Sequence, residues 1–172
     1  MSLLKQKIDF SKRGVFDELY TPDEAILMII PYIPKDIKVI WECTAIKDSR
    51  IVKILEDNGY KVISTHIDNG YDFLKYEPKE YDMIITNPPY SLKNKFLKKA
   101  FDIQKPFMFL LPLTTLEGID RGRMFSKNNI QVLIPNKRFN FKPEKGSGSW
   151  FQTSWFCYKC NLDSDLNFIS LK

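Results

Sequence analysis

The sequence predicts a doubly wound α/β domain, with a mostly parallel sheet and an antiparallel C-terminal hairpin. Three observations predict it. Short apolar runs alternate with segments of helical period along the chain. Residues 106–111 are almost continuously apolar, as a strand buried on both faces must be. Turn residues, Gly59 and Asn69-Gly70 among them, punctuate the pattern.

Residues 1–19 read as an arm ahead of the domain. Thr21-Pro22-Asp23-Glu24 reads as a helix start, with Thr21 as cap, Pro22 at the first helical position and Glu24 completing a capping box. The apolar stretch 25–30 follows, and Pro34 lies beyond its end. Residues 37–41 form a strand. Residues 49–58 form a helix with Ile51, Val52, Ile54 and Leu55 on one face, closed by Gly59. Residues 60–65 are a second strand, 66–80 a loop, 81–86 a third strand and 91–102 a helix. The strand 106–111, a weaker helix at 114–126 and a strand at 130–134 come next. Residues 139–141 and 155–158 are expected to pair as the closing hairpin around the loop 142–149. In such sheets ligands bind beyond the carboxyl ends of the strands, which here are Glu42, the 66–72 loop and Asn87.

At 172 residues and 44% apolar composition, a single domain spanning 1–172 with a sizeable core is the default, with no separate target-recognition domain. No uncharged apolar stretch of about 18 residues is present, so a membrane span is not expected. The charged N-terminal residues lack a signal-peptide core, which points to the cytoplasm. The net charge of +5 suits a polyanionic partner and equally an ordinary lysine-rich surface. The three cysteines argue against a disulfide framework. Cys157 and Cys160 form a lone C-x-x-C, and with one histidine in the chain no metal site is expected.

The most informative segment is Asn87-Pro88-Pro89-Tyr90, directly after the apolar run Met83-Ile84-Ile85. Methyl transfer to an exocyclic amine needs two acceptors for the two N–H bonds, because the nitrogen lone pair is delocalised into the ring. The Asn87 side-chain oxygen and the Pro88 carbonyl qualify. Neither proline offers a competing N–H, and the rigid turn limits reorganisation. Tyr90 can stack on a base, which contributes about 1–3 kcal/mol. A plain Asn-Pro-Pro turn, or an exposed Asn-Pro-x-Tyr sorting peptide, are the competing readings. The preceding buried strand disfavours the second.

With these residues in view, the chain resembles the S-adenosylmethionine-dependent adenine-N6 methyltransferases, in particular the small phage-type DNA adenine methylases. The resemblance spans roughly residues 17–158. Asn87-Pro88-Pro89-Tyr90 matches the catalytic motif, and Tyr20-Thr21-Pro22 the segment that helps hold the methionine end of the cofactor. Asp72-Phe73-Leu74 matches the segment that contacts the cofactor adenine. Arg138-Phe139-Asn140-Phe141 and Ser149-Trp150-Phe151 resemble the hairpin closing the target pocket. The resemblance implies a Rossmann-like class I methyltransferase sheet and S-adenosyl-L-methionine as cofactor. It implies Asn87, Pro88 and Tyr90 as catalytic residues. The cofactor set is Tyr20, Thr21, Glu42, Thr44, Asp68, Asp72, Phe73 and Asn87. The implied substrate is adenine N6 in DNA, a nucleic-acid partner; RNA and glutamine-amide acceptors share the chemistry.

Two departures fall on the cofactor side. The family's two loop glycines correspond to Ile46 and Asp48, where backbone freedom and close approach are wanted. After the second strand, Thr65 and His66 stand where an acidic residue usually holds the ribose, with Asp68 slightly later. Two readings stay open: an active enzyme with an altered cofactor pocket, or a relative that binds nucleotide or nucleic acid without turnover. Lys93, Lys95, Lys98, Lys99, Arg121 and Arg123 are either phosphate contacts or plain surface charge.

Overall fold

The computed structural model describes residues 21–141 and 151–171. The strands are β1 (Val39–Glu42), β2 (Lys61–Ser64), β3 (Met83–Thr86), β4 (Phe107–Pro112), β5 (Gln131–Pro135), β6 (Thr153–Tyr158) and β7 (Leu166–Ile169). The helices are α1 (Asp23–Leu27), α2 (Arg50–Asp57), α3 (Lys93–Ile103) and α4 (Ile119–Asn128). Among the described residues these seven strands form one sheet, in the order β2-β1-β3-β4-β6-β5-β7. β6 runs antiparallel between β4 and β5, and the other pairings are parallel.

Strand alternation divides the core between two faces. Ile40, Met83, Ile85, Met108, Leu110, Trp155 and Cys157 face α1 and α2. Trp41, Ile84, Phe107, Phe109, Phe156 and Tyr158 face α3 and α4. The unbroken apolar run in β4 is therefore explained by burial on both sides. The second face is aromatic: Phe73 stacks on Phe96 at 4.6 Å, and Trp41 lies 5.2 Å from Phe73.

Two contacts set the geometry at the strand ends. Asp82 Oδ2 accepts from Lys38 N and Val39 N, both at 2.8 Å, which locks β1 alongside β3. Those backbone donors hold the Asp82 carboxyl below the ordinary aspartate range. Trp155 Nε1 donates to Ala25 O at 2.7 Å and pins α1 over the sheet.

The structure corrects three expectations. Thr21 does not cap α1: Pro22 stands at the cap position with no side-chain bond, the Thr21 hydroxyl bonds Asn87, and Glu24 pairs with Lys137 at 2.9 Å. Both capping-box side chains are thus taken by tertiary partners. Residues 139–141 form no strand. Phe139 and Phe141 instead bury their rings in the core of the α1 face, and β6 finds partners on both edges in β4 and β5. Lastly, the sheet continues past residue 158: β7 adds a parallel edge strand beside β5, with Leu166 and Phe168 facing solvent.

Candidate functional site

The carboxyl ends of β1 and β3 open into a cleft of about 190 Å³. Its walls include Thr21, Glu42, Thr44, Ile46, His66, Ile67, Asp72, Phe73, Asn87 and Pro89. Parallel pairing of β1 with β3 brings Glu42 and Asn87 to the same end of the sheet.

Glu42 is 1% exposed. Its Oε1 accepts from Thr44 N at 3.0 Å, Thr44 Oγ1 at 3.0 Å and Thr86 Oγ1 at 2.5 Å, and its Oε2 from Ser49 Oγ at 3.4 Å. Among the described residues it forms no ion pair. Burial pushes its pKa up to about 6, while the hydroxyl and amide donors keep it from rising further. The same burial, with the Glu42 charge beside it, raises the Cys43 thiol.

Asn87 lines the same cleft. Its Nδ2 donates to Thr21 Oγ1 at 3.1 Å. Its Oδ1 is buried and has no hydrogen-bond partner among the described residues. Because buried acceptors are nearly always satisfied, this oxygen is the most informative atom of the cleft. The Asn87 main-chain oxygen lies 3.3 Å from Thr44 Oγ1, and Thr44 Oγ1 lies 2.6 Å from Thr86 Oγ1. Beyond the cleft lining, the Tyr90 ring meets Phe151 edge-on at 5.8 Å. Pro88 is buried beneath them.

The loop after β1 turns sharply at residues 46–49, closed by Ser49 N donating to Ile46 O at 3.1 Å. Asp48 adopts φ 57°, the left-handed region that glycine favours, whereas Ile46 does not. Of the two positions where glycine is expected, only Asp48 carries the backbone demand. Ile46 contributes bulk, since its side chain lines the cleft. Ser49, not Asp48, caps α2, accepting from Val52 N at 3.4 Å.

Asp72 and Phe73 enter from the loop after β2. Asp72 Oδ1 accepts from Leu74 N at 2.9 Å, so the carboxylate holds its own turn while facing the cleft. Phe73 is wedged between Trp41 and Phe96. Lys99 secures this loop from below, donating to Phe73 O and to Tyr76 O, the latter at 2.7 Å. Burial lowers its ammonium pKa. Lys99 is therefore committed to the loop and not to a phosphate. Lys98 pairs with Asp102 at 2.8 Å, and Arg121 joins α4 to α3 through Asn94 Oδ1 at 2.9 Å.

Thus Thr21, Glu42, Thr44, Asp72, Phe73 and Asn87 converge on one cleft. Asp68 is not among them: its carboxylate is 77% exposed and lies 3.3 Å from His66 Nδ1. Tyr20 lies outside the described residues, as do Ser149 and Trp150. Sequence reasoning missed Ile67, which is 62% exposed at the cleft wall. Its only signal is an apolar residue in the loop after β2, directly after His66. Cys43, Cys157 and Cys160 are buried and free, and no group of metal-ligating side chains occurs among the described residues. No described helix is long and apolar enough to cross a membrane.

No family model matches the sequence, and no curated protein resembles it in sequence. Solved structures do resemble its fold. A Listeria monocytogenes protein described as a class I S-adenosylmethionine-dependent methyltransferase aligns with TM-score 0.51 at 12% identity, over 88% of this chain and 65% of that one. The chain has the class I methyltransferase fold. The methyltransferase subunit of a type I restriction-modification system from Streptococcus thermophilus aligns with TM-score 0.48 at 15% identity, over 89% of this chain and 47% of its own. The chain therefore spans between about half and two thirds of the length of these structures.

Proposed function

We propose that this protein transfers a methyl group from S-adenosylmethionine to a planar exocyclic amino group, with adenine N6 in DNA as the acceptor. The observation that carries this reading is the buried Oδ1 of Asn87, without a partner among the described residues, on a residue that lines the cleft together with Glu42. An acceptor stripped of water and given no internal partner is matched to a donor that arrives with the substrate. In this reading Asn87 Oδ1 takes one N–H of the amino group and the Pro88 carbonyl takes the other, concentrating electron density on the nitrogen. Tyr90, braced edge-on by Phe151, stacks on the base. After transfer the alkylated nitrogen is acidic enough to lose its surplus proton to water. In duplex DNA the adenine must leave the stack to reach the site, and the net charge of +5 is compatible with a polyanionic partner.

The residues present fit the cofactor. Asp72 Oδ1 serves Leu74 N and Oδ2 lies 3.7 Å from the exposed Lys75 ammonium, which leaves carboxylate lone pairs for polar groups of a nucleoside, and Phe73 and Ile67 give apolar wall. The ion-pair-free Glu42 makes its end of the cleft favourable to positive charge. When bound, S-adenosylmethionine supplies an electrophilic methyl group on a sulfonium centre. Calorimetry with S-adenosylmethionine tests the reading, and no binding at millimolar cofactor sinks it. One observation favours a second reading, binding without turnover: the Ile46 side chain lines the cleft where close cofactor approach calls for glycine.

A further inference from the structure

Thr86 is fully buried at the end of β3, and nothing in the methyl-transfer chemistry above uses it. Its hydroxyl has a single hydrogen, and the 2.5 Å approach to Glu42 Oε1 assigns that hydrogen to the carboxylate. Thr44 Oγ1 also has one hydrogen but three acceptors in reach: Glu42 Oε1 at 3.0 Å, Thr86 Oγ1 at 2.6 Å and Asn87 O at 3.3 Å. These groups form one closed cluster in which each hydroxyl orients the next. The cluster spans from the loop after β1 to the main chain of Asn87, and both line the cleft.

We infer that Thr86 is a positioning residue that ties the Asn87 segment to Glu42 and the loop after β1, so that the two halves of the cleft move as one unit. The reasoning is a competition for donors. With Thr86 present, its own hydrogen goes to Glu42 Oε1, and the single Thr44 hydrogen turns to Thr86 Oγ1, the nearest of its acceptors at 2.6 Å. Without the Thr86 hydroxyl, the buried carboxylate loses its shortest hydrogen bond. The Thr44 hydrogen, left without its nearest acceptor, turns to that carboxylate, because hydrogen bonds to an ionised acceptor are the stronger ones. Both side-chain bonds that hold the end of β3 to Glu42 and the loop after β1 are then lost, and with them the anchorage of the adjoining Asn87. The importance of this tie for catalysis rests on the methyl-transfer reading; the tie itself does not.

The test is amide hydrogen exchange on the full chain without ligand, comparing wild type, Thr86→Val and Thr86→Ser. Valine keeps the volume and removes the hydroxyl, and serine keeps the hydroxyl. Exchange across residues 87–92 is expected to quicken about tenfold in Thr86→Val, the scale of one lost charge-assisted hydrogen bond. Thr86→Ser should match wild type, and peptides covering 131–135 should be unchanged in both. Wild-type exchange at 87–92 in Thr86→Val overturns the inference. So does an equal rise at 131–135, which would indicate only general destabilisation. A second arm adds S-adenosylhomocysteine: added protection at 87–92 in wild type but not in Thr86→Val extends the tie to ligand binding. Equal added protection in both overturns that extension. If wild type binds no S-adenosylhomocysteine at all, the methyl-transfer reading falls, while the ligand-free arm still decides the tie.

Discussion

Asn87 Nδ2 donates to Thr21 Oγ1 at 3.1 Å, joining the end of β3 to the entry of α1 across 66 positions of sequence. The amide nitrogen is thereby engaged by the protein, and the amide oxygen is buried without a partner among the described residues. Thr21→Val removes the partner of a part-buried donor. It should destabilise the fold by about 1–3 kcal/mol, and it should lower the rate of methyl transfer more than it weakens acceptor binding. Thr21→Ser should restore both. Urea unfolding together with a kcat-against-KM comparison checks this.

Asp72 has two tasks that substitution can separate. Asp72→Asn keeps an oxygen for Leu74 N and removes the charge. It should leave the melting temperature near wild type and weaken S-adenosylmethionine binding about tenfold, the difference between a charged and a neutral acceptor. Asp72→Ala should lower affinity and also loosen the 72–76 turn. Calorimetry paired with thermal unfolding distinguishes the two variants.

Glu42 makes stability depend on pH in a defined direction. Its folded pKa, about 6, lies above the ordinary value of 4.5. The folded state therefore binds the proton more tightly than the unfolded chain. The contribution is fully present below pH 4.5 and is lost as pH rises through about 6. The difference amounts to about 2 kcal/mol. Glu42→Gln should flatten that part of the stability curve between pH 4 and 7, as measured by denaturant unfolding.

Ile46 narrows the cleft without using a glycine conformation. Ile46→Gly should cost about 0.5–1 kcal/mol in stability through added freedom of the unfolded chain. It should also tighten S-adenosylmethionine binding. Unchanged affinity in a calorimetric titration would mean that the wall at Ile46 does not restrict the ligand.

Much of the fold was legible because alternation and burial leave a mark on composition. The two-sided strand β4, the helix α2 closed by Gly59 and the Asn87 turn all follow from local pattern. The failures have tertiary causes. Thr21 and Glu24 carry a capping signature, yet each side chain has a distant partner in Asn87 or Lys137. Phe139 and Phe141 alternate like a strand but pack as isolated rings. β7 escaped notice because its apolar residues Leu166 and Phe168 point outward on an edge. At the site, Glu42, Asp72 and Asn87 could be named from motif order. Thr86 and Ile67 could not, since their significance lies in neighbours brought together only by parallel pairing of β1 with its two flanking strands.

The most direct measurement is methyl transfer to DNA by wild type and Asn87→Ala, read by mass analysis of the released nucleosides. The substitution removes the acceptor and the donor to Thr21 but no core volume, so Asn87→Ala should keep its fold at a cost of about 1 kcal/mol. The expected result is N6-methyladenine with wild type and a loss of at least about 100-fold with Asn87→Ala, the scale for removing one preorganised polar group. Wild-type levels of methylation by Asn87→Ala would contradict the role assigned to the Asn87 oxygen.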